Sequence, residues 1–253
     1  VSKQAGNNTA IALVTGAATG IGLAISTRLI ERGFRVVITD QNAVEGAPVA
    51  QRLGADFFEL DVTQVEAWRR VESALQERYG KLNVLVNNAG IYKAGSIEDA
   101  SLEDWHHLQS VNVSGVFLGC QTGIRLMKKD GGAIINLSSG AALRPASGAA
   151  LYSATKSAVW SLTRTTALYC AEQGYNIRCN SVHPGMVDTQ MVAGRAASPE
   201  AKAQLYKEAN ARHPLGRMAS ADDVARVVAF LASDDASYMT GAAVPVDGGY
   251  AIA

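Results

Sequence analysis

Seven short apolar runs rich in β-branched residues punctuate the chain, at residues 11–14, 36–39, 57–60, 84–86, 133–137, 177–182 and 243–246. Longer segments with helical spacing separate most of them, predicting helices at 21–32, 43–53, 64–79, 101–128, 151–173, 199–210 and 221–233. Gly33, Gly80 and Gly174 follow three of these helices, and Asp222 stands near the start of the last, as stop and start residues do. Strands that alternate with helices favour a parallel sheet covered on both faces. The expectation is a single-domain, Rossmann-type, doubly wound α/β sheet of about seven parallel strands spanning 1–253. No repeat, low-complexity tract or linker divides it.

Composition narrows the picture. A chain of 253 residues with 48% hydrophobic content can bury one substantial core. Lys and Arg together number 23, as do Asp and Glu, so no basic field favours nucleic acid as a partner. Cys120, Cys170 and Cys179 lack CxxC spacing, which predicts buried free thiols rather than disulfides or a zinc cage. His106, His107, His183 and His213 have no metal-ligand spacing, so no catalytic metal is expected. One lysine and a polar stretch at 4–9 do not resemble a secretory signal, and no apolar run approaches the roughly 18 residues that span a bilayer. A cytoplasmic protein without a membrane partner is expected.

The first candidate chemistry lies at the first strand–helix turn, Thr15-Gly-Ala-Ala-Thr-Gly-Ile-Gly22. Of Gly16, Gly20 and Gly22, one permits a tight turn, one lets backbone approach a pyrophosphate and one allows helix to pack on strand. The helix N-terminus adds free N–H groups and a positive dipole end. Asp40, ending the second apolar run, is placed to accept hydrogen bonds from ribose hydroxyls and to repel a 2′-phosphate, unless it is simply a strand-end cap. Neither Thr19 nor Gln41 is basic, so NAD is favoured over NADP.

Tyr152 and Lys156 stand one helical turn apart, with Ser139 thirteen residues upstream of the tyrosine. At an effective dielectric of about 20, a cation roughly 4 Å from a phenolate is worth about 4 kcal/mol, enough to lower a tyrosine pKa by about three units. YxxxK alone is common on amphipathic helices. Together with the serine and the glycine turn it points to nicotinamide-dependent hydride transfer, with Tyr152 as acid or base.

In order and spacing, the glycine turn, Asp61-Val62, Asn87-Asn-Ala-Gly90, Val111-Asn112, Ser139, Tyr152 to Lys156 and Pro184-Gly185 resemble the short-chain dehydrogenase/reductase family over essentially the whole chain. The resemblance implies that Asn112 kinks its helix and holds a water leading to Lys156. It also implies that Ser139 rather than Ser138 orients the substrate oxygen, and that Lys156 grips the nicotinamide ribose. Gly16, Thr19, Gly20, Ile21, Gly22, Asp40 and Gln41 would hold the dinucleotide, the glycine turn at its pyrophosphate. Asp61 and Val62 would meet adenine, and Asn88, with Ala89 and Gly90, the adenosine ribose. Pro184, Gly185, Val187 and Thr189 would surround the nicotinamide, while Asn87 would brace the sheet. Stretches at 82–91, 119–124 and 173–178 look like bacterial hydroxysteroid dehydrogenases of the 3β/17β type, and the likeness extends to dehydrogenases of cyclic or aryl-substituted alcohols.

Substrate is expected beyond the carboxyl ends of the fifth and sixth strands. Leu143, Ala146, Met186, Met191 and Val192 lie there, with Tyr92 from the loop after the fourth strand, and their apolar character suits an uncharged hydrophobic secondary alcohol or ketone. Arg144 and Arg195 are nearby charges that read as solvated rim positions in preference to the alternative of substrate anchors. Residues 190–212 resemble the family's substrate lid. Family likeness further implies a homotetramer built on the helices at 101–128 and 151–173 and the segment 244–250, although Trp105, Phe117 and Trp160 equally suit the core. Two alternatives share the motifs. A 3-oxoacyl reductase of fatty-acid synthesis is opposed by Asp40, and a non-catalytic dinucleotide sensor by retention of Asn112, Ser139, Tyr152 and Lys156.

Overall fold

In the computed structural model, which describes residues 9–253, every apolar run forms a strand. The polar stretch ahead of them falls almost wholly outside the described residues. β1 (Ile11–Thr15), β2 (Arg35–Asp40), β3 (Asp56–Glu59), β4 (Val84–Asn87), β5 (Gly132–Leu137), β6 (Ile177–Pro184) and β7 (Ala243–Val246) make one parallel sheet in the order β3-β2-β1-β4-β5-β6-β7. The order reverses between β1 and β4, which opens a crevice at the carboxyl ends of the central strands. β1 and β4 are buried along their whole length, so their sequences are apolar without alternation.

Side chains of β1 divide between two core layers: Ala12 and Val14 pack with Ile25, Leu29 and Val228, and Ile11 and Leu13 with Trp68, Leu75 and Val159. The first layer lies under α1 (Gly20–Glu31) and α10 (Ala221–Leu231), the second under α3 (Val65–Tyr79), α5 (Gly115–Met127) and α7 (Ala150–Glu172). An Arg28–Asp222 ion pair joins α1 to α10, whose start carries a capping box formed by Ser220 and Asp223. α2 (Ala43–Leu53) completes the β2–β3 crossover. A third, small cluster is separate from both layers: Val192, Ala209 and Met218, with Met186, Leu205 and Tyr206 against them. It belongs to α8 (Gln190–Ala193), α9 (Pro199–Ala211) and the strand-like segments flanking them.

One predicted helix is divided. In place of an unbroken helix at 101–128 the chain forms α4 (Leu102–Gln109), a π-helical turn at Ser110–Ser114, and then α5. The cause is tertiary: Asn112 in that turn exchanges two hydrogen bonds with the backbone of Ile91, at 2.8 and 3.0 Å, and the wider turn lets it reach inward. α6 (Gly140–Leu143) and α8 are single turns with no periodic signature in the sequence. All three cysteines are free and buried. Among the described residues no helix is long and apolar enough to cross a membrane, and no group of three His, Cys, Asp or Glu residues gathers as for a metal.

Trp68 shows how core packing positions the crevice. It is fully buried, and its Nε1–H donates to the Val62 carbonyl at 3.0 Å, pinning the loop that carries Asp61 and Val62. Trp68→Ala is expected to destabilise the protein by about 3–5 kcal/mol. Urea denaturation checks this: the midpoint should fall while the slope stays constant.

Candidate active site

The crevice floor is built from the turn between β1 and α1. Gly16 has φ +61°, and a Cβ there would lie 2.8 Å from the Ala89 Cα, so both conformation and space demand glycine. At Gly22 a Cβ would lie 2.4 Å from the Gly16 carbonyl oxygen; this glycine packs helix on turn and is not on the cavity wall. The Thr15 hydroxyl accepts the N–H groups of Asn88 and Ala89, both at 3.0 Å. Asn88 returns its amide hydrogens to the carbonyls of Thr15 and Gly16, both at 2.9 Å, which commits them to the turn. Asp40 accepts from the N–H groups of Ala18 (3.1 Å) and Asn42 (3.0 Å), and Asp61 Oδ1 from the N–H and hydroxyl of Thr63. Both carboxylates are therefore held in place at the crevice edge.

This floor fits a dinucleotide. No acidic residue occupies the first turn of α1, so its open N–H groups face the cavity unopposed. Gly20 lies against Thr189, which brings the loop after β6 opposite the glycine turn. Gly16, Thr19, Gly20, Ile21, Asp40, Gln41, Asp61, Val62, Asn88, Ala89, Gly90, Pro184, Gly185, Val187 and Thr189 all line one cavity of about 720 Å³.

At the other end of that cavity, α7 presents Tyr152 and Lys156 beside the end of β5. Ser139 caps α6, its Oγ accepting the Ala141 N–H at 3.1 Å. The Ser138 hydroxyl instead donates to the Lys156 carbonyl at 2.8 Å and serves to tie β5 to α7. Lys156 Nζ donates to the Leu137 carbonyl at 2.9 Å and lies 5.7 Å from the centroid of the Tyr152 ring. Asn112 is wholly buried and off the cavity wall; its Oδ1 accepts the Ile91 N–H, and its amide donates to the Ile91 carbonyl and the Thr155 hydroxyl (3.1 Å).

Electrostatically the pair departs from expectation. Burial pushes the Tyr152 phenol up, opposed by the Ser139 hydroxyl and, more remotely, by Arg195. Burial also pushes Lys156 down from 10.5 to about 8. In place of the predicted fall, the phenol is raised, because desolvation is the largest influence on the buried ring. Both groups are driven toward their neutral forms, leaving a phenol able to donate a proton and an amine that titrates near physiological pH.

Two histidines set aside in the sequence have defined structural tasks. His183, fully buried, hydrogen-bonds the Ser139 carbonyl through Nδ1 (3.1 Å) and the Ser181 hydroxyl through Nε2 (2.8 Å), and burial lowers its pKa. His213 donates from Nδ1 to the Ala209 carbonyl (2.6 Å) and accepts the Met186 N–H at Nε2 (3.1 Å), joining the end of α9 to the loop after β6. Neither has a motif to mark it.

Tyr92, Ala146, Met186, Met191 and Val192 line the cavity as expected, but Leu143 does not. It stands two residues past Ala141, roughly 200° around the single turn of α6, and so faces away. Wall residues without a sequence signal include His107, Ser147, Gln190, Arg212 and Tyr250. Tyr92 meets Tyr152 edge to face, with centroids 5.0 Å apart. Arg195 donates to the Tyr92 hydroxyl at 2.9 Å and lies over its ring, 4.2 Å from the centroid.

A family model described as enoyl-(acyl carrier protein) reductase matches residues 16–251. The chain belongs to the short-chain dehydrogenase/reductase family. It is 40% identical to a trans-4-hydroxycyclohexanecarboxylate dehydrogenase of Sinomonas cyclohexanicum, over 94% of this chain and 92% of the relative. Identity is 41% to a 3-beta-hydroxysteroid dehydrogenase of Comamonas testosteroni, covering 94% of each chain. It is 38% to an NADP-dependent (R)-specific alcohol dehydrogenase of Lentilactobacillus kefiri, covering 95% and 96%. Ligand-free aldohexose dehydrogenase from Thermoplasma acidophilum superposes with a TM-score of 0.89 at 33% identity, covering 98% of this chain and 96% of that one. As a short-chain dehydrogenase/reductase the protein is an oxidoreductase that acts on CH–OH groups with a nicotinamide dinucleotide. The resemblance to hydroxysteroid and cyclic-alcohol dehydrogenases is thereby upheld.

The displaced lysine has a thermodynamic signature. Because the folded value, about 8, lies below the ordinary 10.5, the unfolded chain binds more protons between those limits, and stability must rise with pH across that window. Denaturation of the unmodified protein and Lys156→Met from pH 7 to 10.5 should show their stability difference constant below pH 8. Above it the difference should move in favour of the unmodified protein by about 3 kcal/mol. A flat difference throughout would mean that the ammonium is not desolvated.

Proposed function

We propose that the protein interconverts a hydrophobic, ring-bearing secondary alcohol and its ketone using NAD, with Tyr152 as acid and base. One observation carries this reading: Ser139, Tyr152 and Lys156 converge at one end of a cavity whose other end is the glycine turn. The nicotinamide, when bound, supplies or accepts the hydride. In the reducing direction the Tyr152 phenol gives its proton to the ketone oxygen, a role suited to a phenol that burial keeps protonated. In the oxidising direction Tyr152 removes the alcohol proton. Ser139 holds the oxygen as its charge changes, the kind of fixed donor worth roughly 3 kcal/mol. Lys156 stabilises the phenolate and grips the nicotinamide ribose. Asn112 acts as a positioning residue that locks the Ile91 loop to α7 through Thr155.

The preference for NAD rests on Asp40. Its carboxylate is fixed by two backbone N–H groups, and among the described wall residues around it none is basic. The NADP-dependent Lentilactobacillus relative shows that the family admits either dinucleotide, so this local charge is the deciding feature. The ring-bearing substrate follows from the apolar wall of Tyr92, Ala146, Met186, Met191 and Val192, and from relatives named for cyclohexane and steroid alcohols. Residues 190–212 act as the lid, with His213 at its base. Exposed Phe117, Leu168 and Tyr169 on α5 and α7 support a homotetramer built on those helices, and three free thiols suit a cytoplasmic location.

Tyr152→Phe should lower kcat by about 10²–10⁴-fold while NAD affinity, read by fluorescence titration, stays within about threefold. A variant as active as the unmodified protein removes the tyrosine from the chemistry. Asp40→Ala should move the NADP:NAD ratio of kcat/KM toward NADP by about tenfold or more. Preference for NADP by the unmodified protein would reverse the reading of that carboxylate.

A further inference from the structure

Charge is divided unevenly along the crevice. Among the described residues that line it, the carboxylates are Asp40 and Asp61, both beside the glycine turn. The lid end carries Arg195 and Arg212 and no carboxylate, within a wall that is otherwise apolar or aromatic. Neither arginine has an ion-pair partner among the described residues.

Arg195 is fixed rather than free. One N–H donates to the Tyr92 hydroxyl at 2.9 Å, and the guanidinium lies 4.2 Å from the centroid of that ring. Tyr92 in turn stands edge-on to Tyr152, so a permanent cation is held one aromatic ring away from the reacting phenol. A guanidinium has five N–H donors in a planar fork, and only the one to Tyr92 is engaged among the described residues. Stacking removes the rotamer freedom that a long lid side chain would otherwise lose on binding. The remaining fork matches a carboxylate, which takes two parallel N–H bonds.

We propose that Arg195 anchors a carboxylate carried by the substrate, so that the ketone or alcohol taken is a ring compound with its acid group remote from the carbinol carbon. The inference rests on the reading of this cavity as a ring-alcohol site and replaces the uncharged substrate expected from the apolar residues alone. Arg195 belongs to the site and not to the rim.

Two matched pairs of ketones test it: 4-oxocyclohexanecarboxylate against its carboxamide, and 4-acetylbenzoate against 4-acetylbenzamide. For at least one pair, kcat/KM should favour the carboxylate by about 10- to 100-fold. In Arg195→Gln that ratio should fall to within about threefold of unity, and in Arg195→Lys it should be partly retained, because charge survives without the fork. Any effect on Tyr152 is common to both members of a pair and cancels. Calorimetric titration of the same carboxylates into the NADH-loaded protein reads the anchor without turnover, and Arg195→Gln should weaken this binding by a similar factor. No preference for carboxylate in rate or binding, a preference untouched by Arg195→Gln, or a loss traced to weaker NADH binding would each overturn the proposal. Failure to reduce all four ketones with NADH or NADPH counts against the ring-ketone reading itself, while the titration still decides for or against Arg195.

Discussion

A lysine kept out of water is the constraint around which the rest is arranged. Lys156 is only 4% exposed, and the Leu137 carbonyl is the one hydrogen-bond partner of its Nζ among the described residues. Burying an ammonium is unfavourable unless it is paired and hydrogen-bonded, so a group with one acceptor stays inside only where the surroundings are rigid enough to deny it an escape. Here β5 supplies the acceptor, α7 supplies the stem, and Ser138 binds the two together. On the remaining side Gly90 brings backbone so close that a Cβ there would sit 3.3 Å from Nζ, and the Asn112 π turn holds the adjoining Ile91 in place. The two core layers reach the site through Leu137 and Val187 on one side and Val62 on the other, and their packing prevents this enclosure from relaxing.

Below the cavity the same logic is extended by a polar network in the sheet. Asn87 donates to Asn136 at 2.8 Å, Asn136 donates to Thr163 at 2.9 Å, and Thr163 donates to the Val159 carbonyl at 2.8 Å. These buried bonds couple β4, β5 and α7, the three elements that carry Asn88, Ser139 and Tyr152. Buried polar bonds specify one arrangement more sharply than apolar contacts do, and within this network the Asn87 Oδ1 is left without a partner among the described residues.

The strands and most helices were legible because their burial is local to the sequence: a strand covered on both faces must be apolar throughout, and each helix must repeat its apolar face. Spacing alone read 101–128 as one helix, and its break at Asn112 was legible only through the family likeness, because the π turn depends on Ile91, twenty-one residues away. Ser139 was distinguishable from Ser138 by its thirteen-residue step to Tyr152 in the family pattern, whereas Leu143 was misplaced because a single helical turn has no period to read. The sign of the Tyr152 shift was missed for a different reason. Proximity of charge can be counted from spacing, but desolvation belongs to the whole enclosure. Arg195 reaches Tyr92 across 103 positions, a meeting that no local pattern announces.

The small cluster of Val192, Ala209 and Met218 gives the roof of the crevice an interior of its own, apart from the layers that bind helices to sheet. Floor and roof are thereby packed separately: one is continuous with the sheet, while the other meets it through the β6 loop, His213 and the Arg195–Tyr92 bond. Evolution can therefore remodel the roof as a cassette, exchanging what the molecule recognises without retuning the acid–base pair or the dinucleotide cradle below.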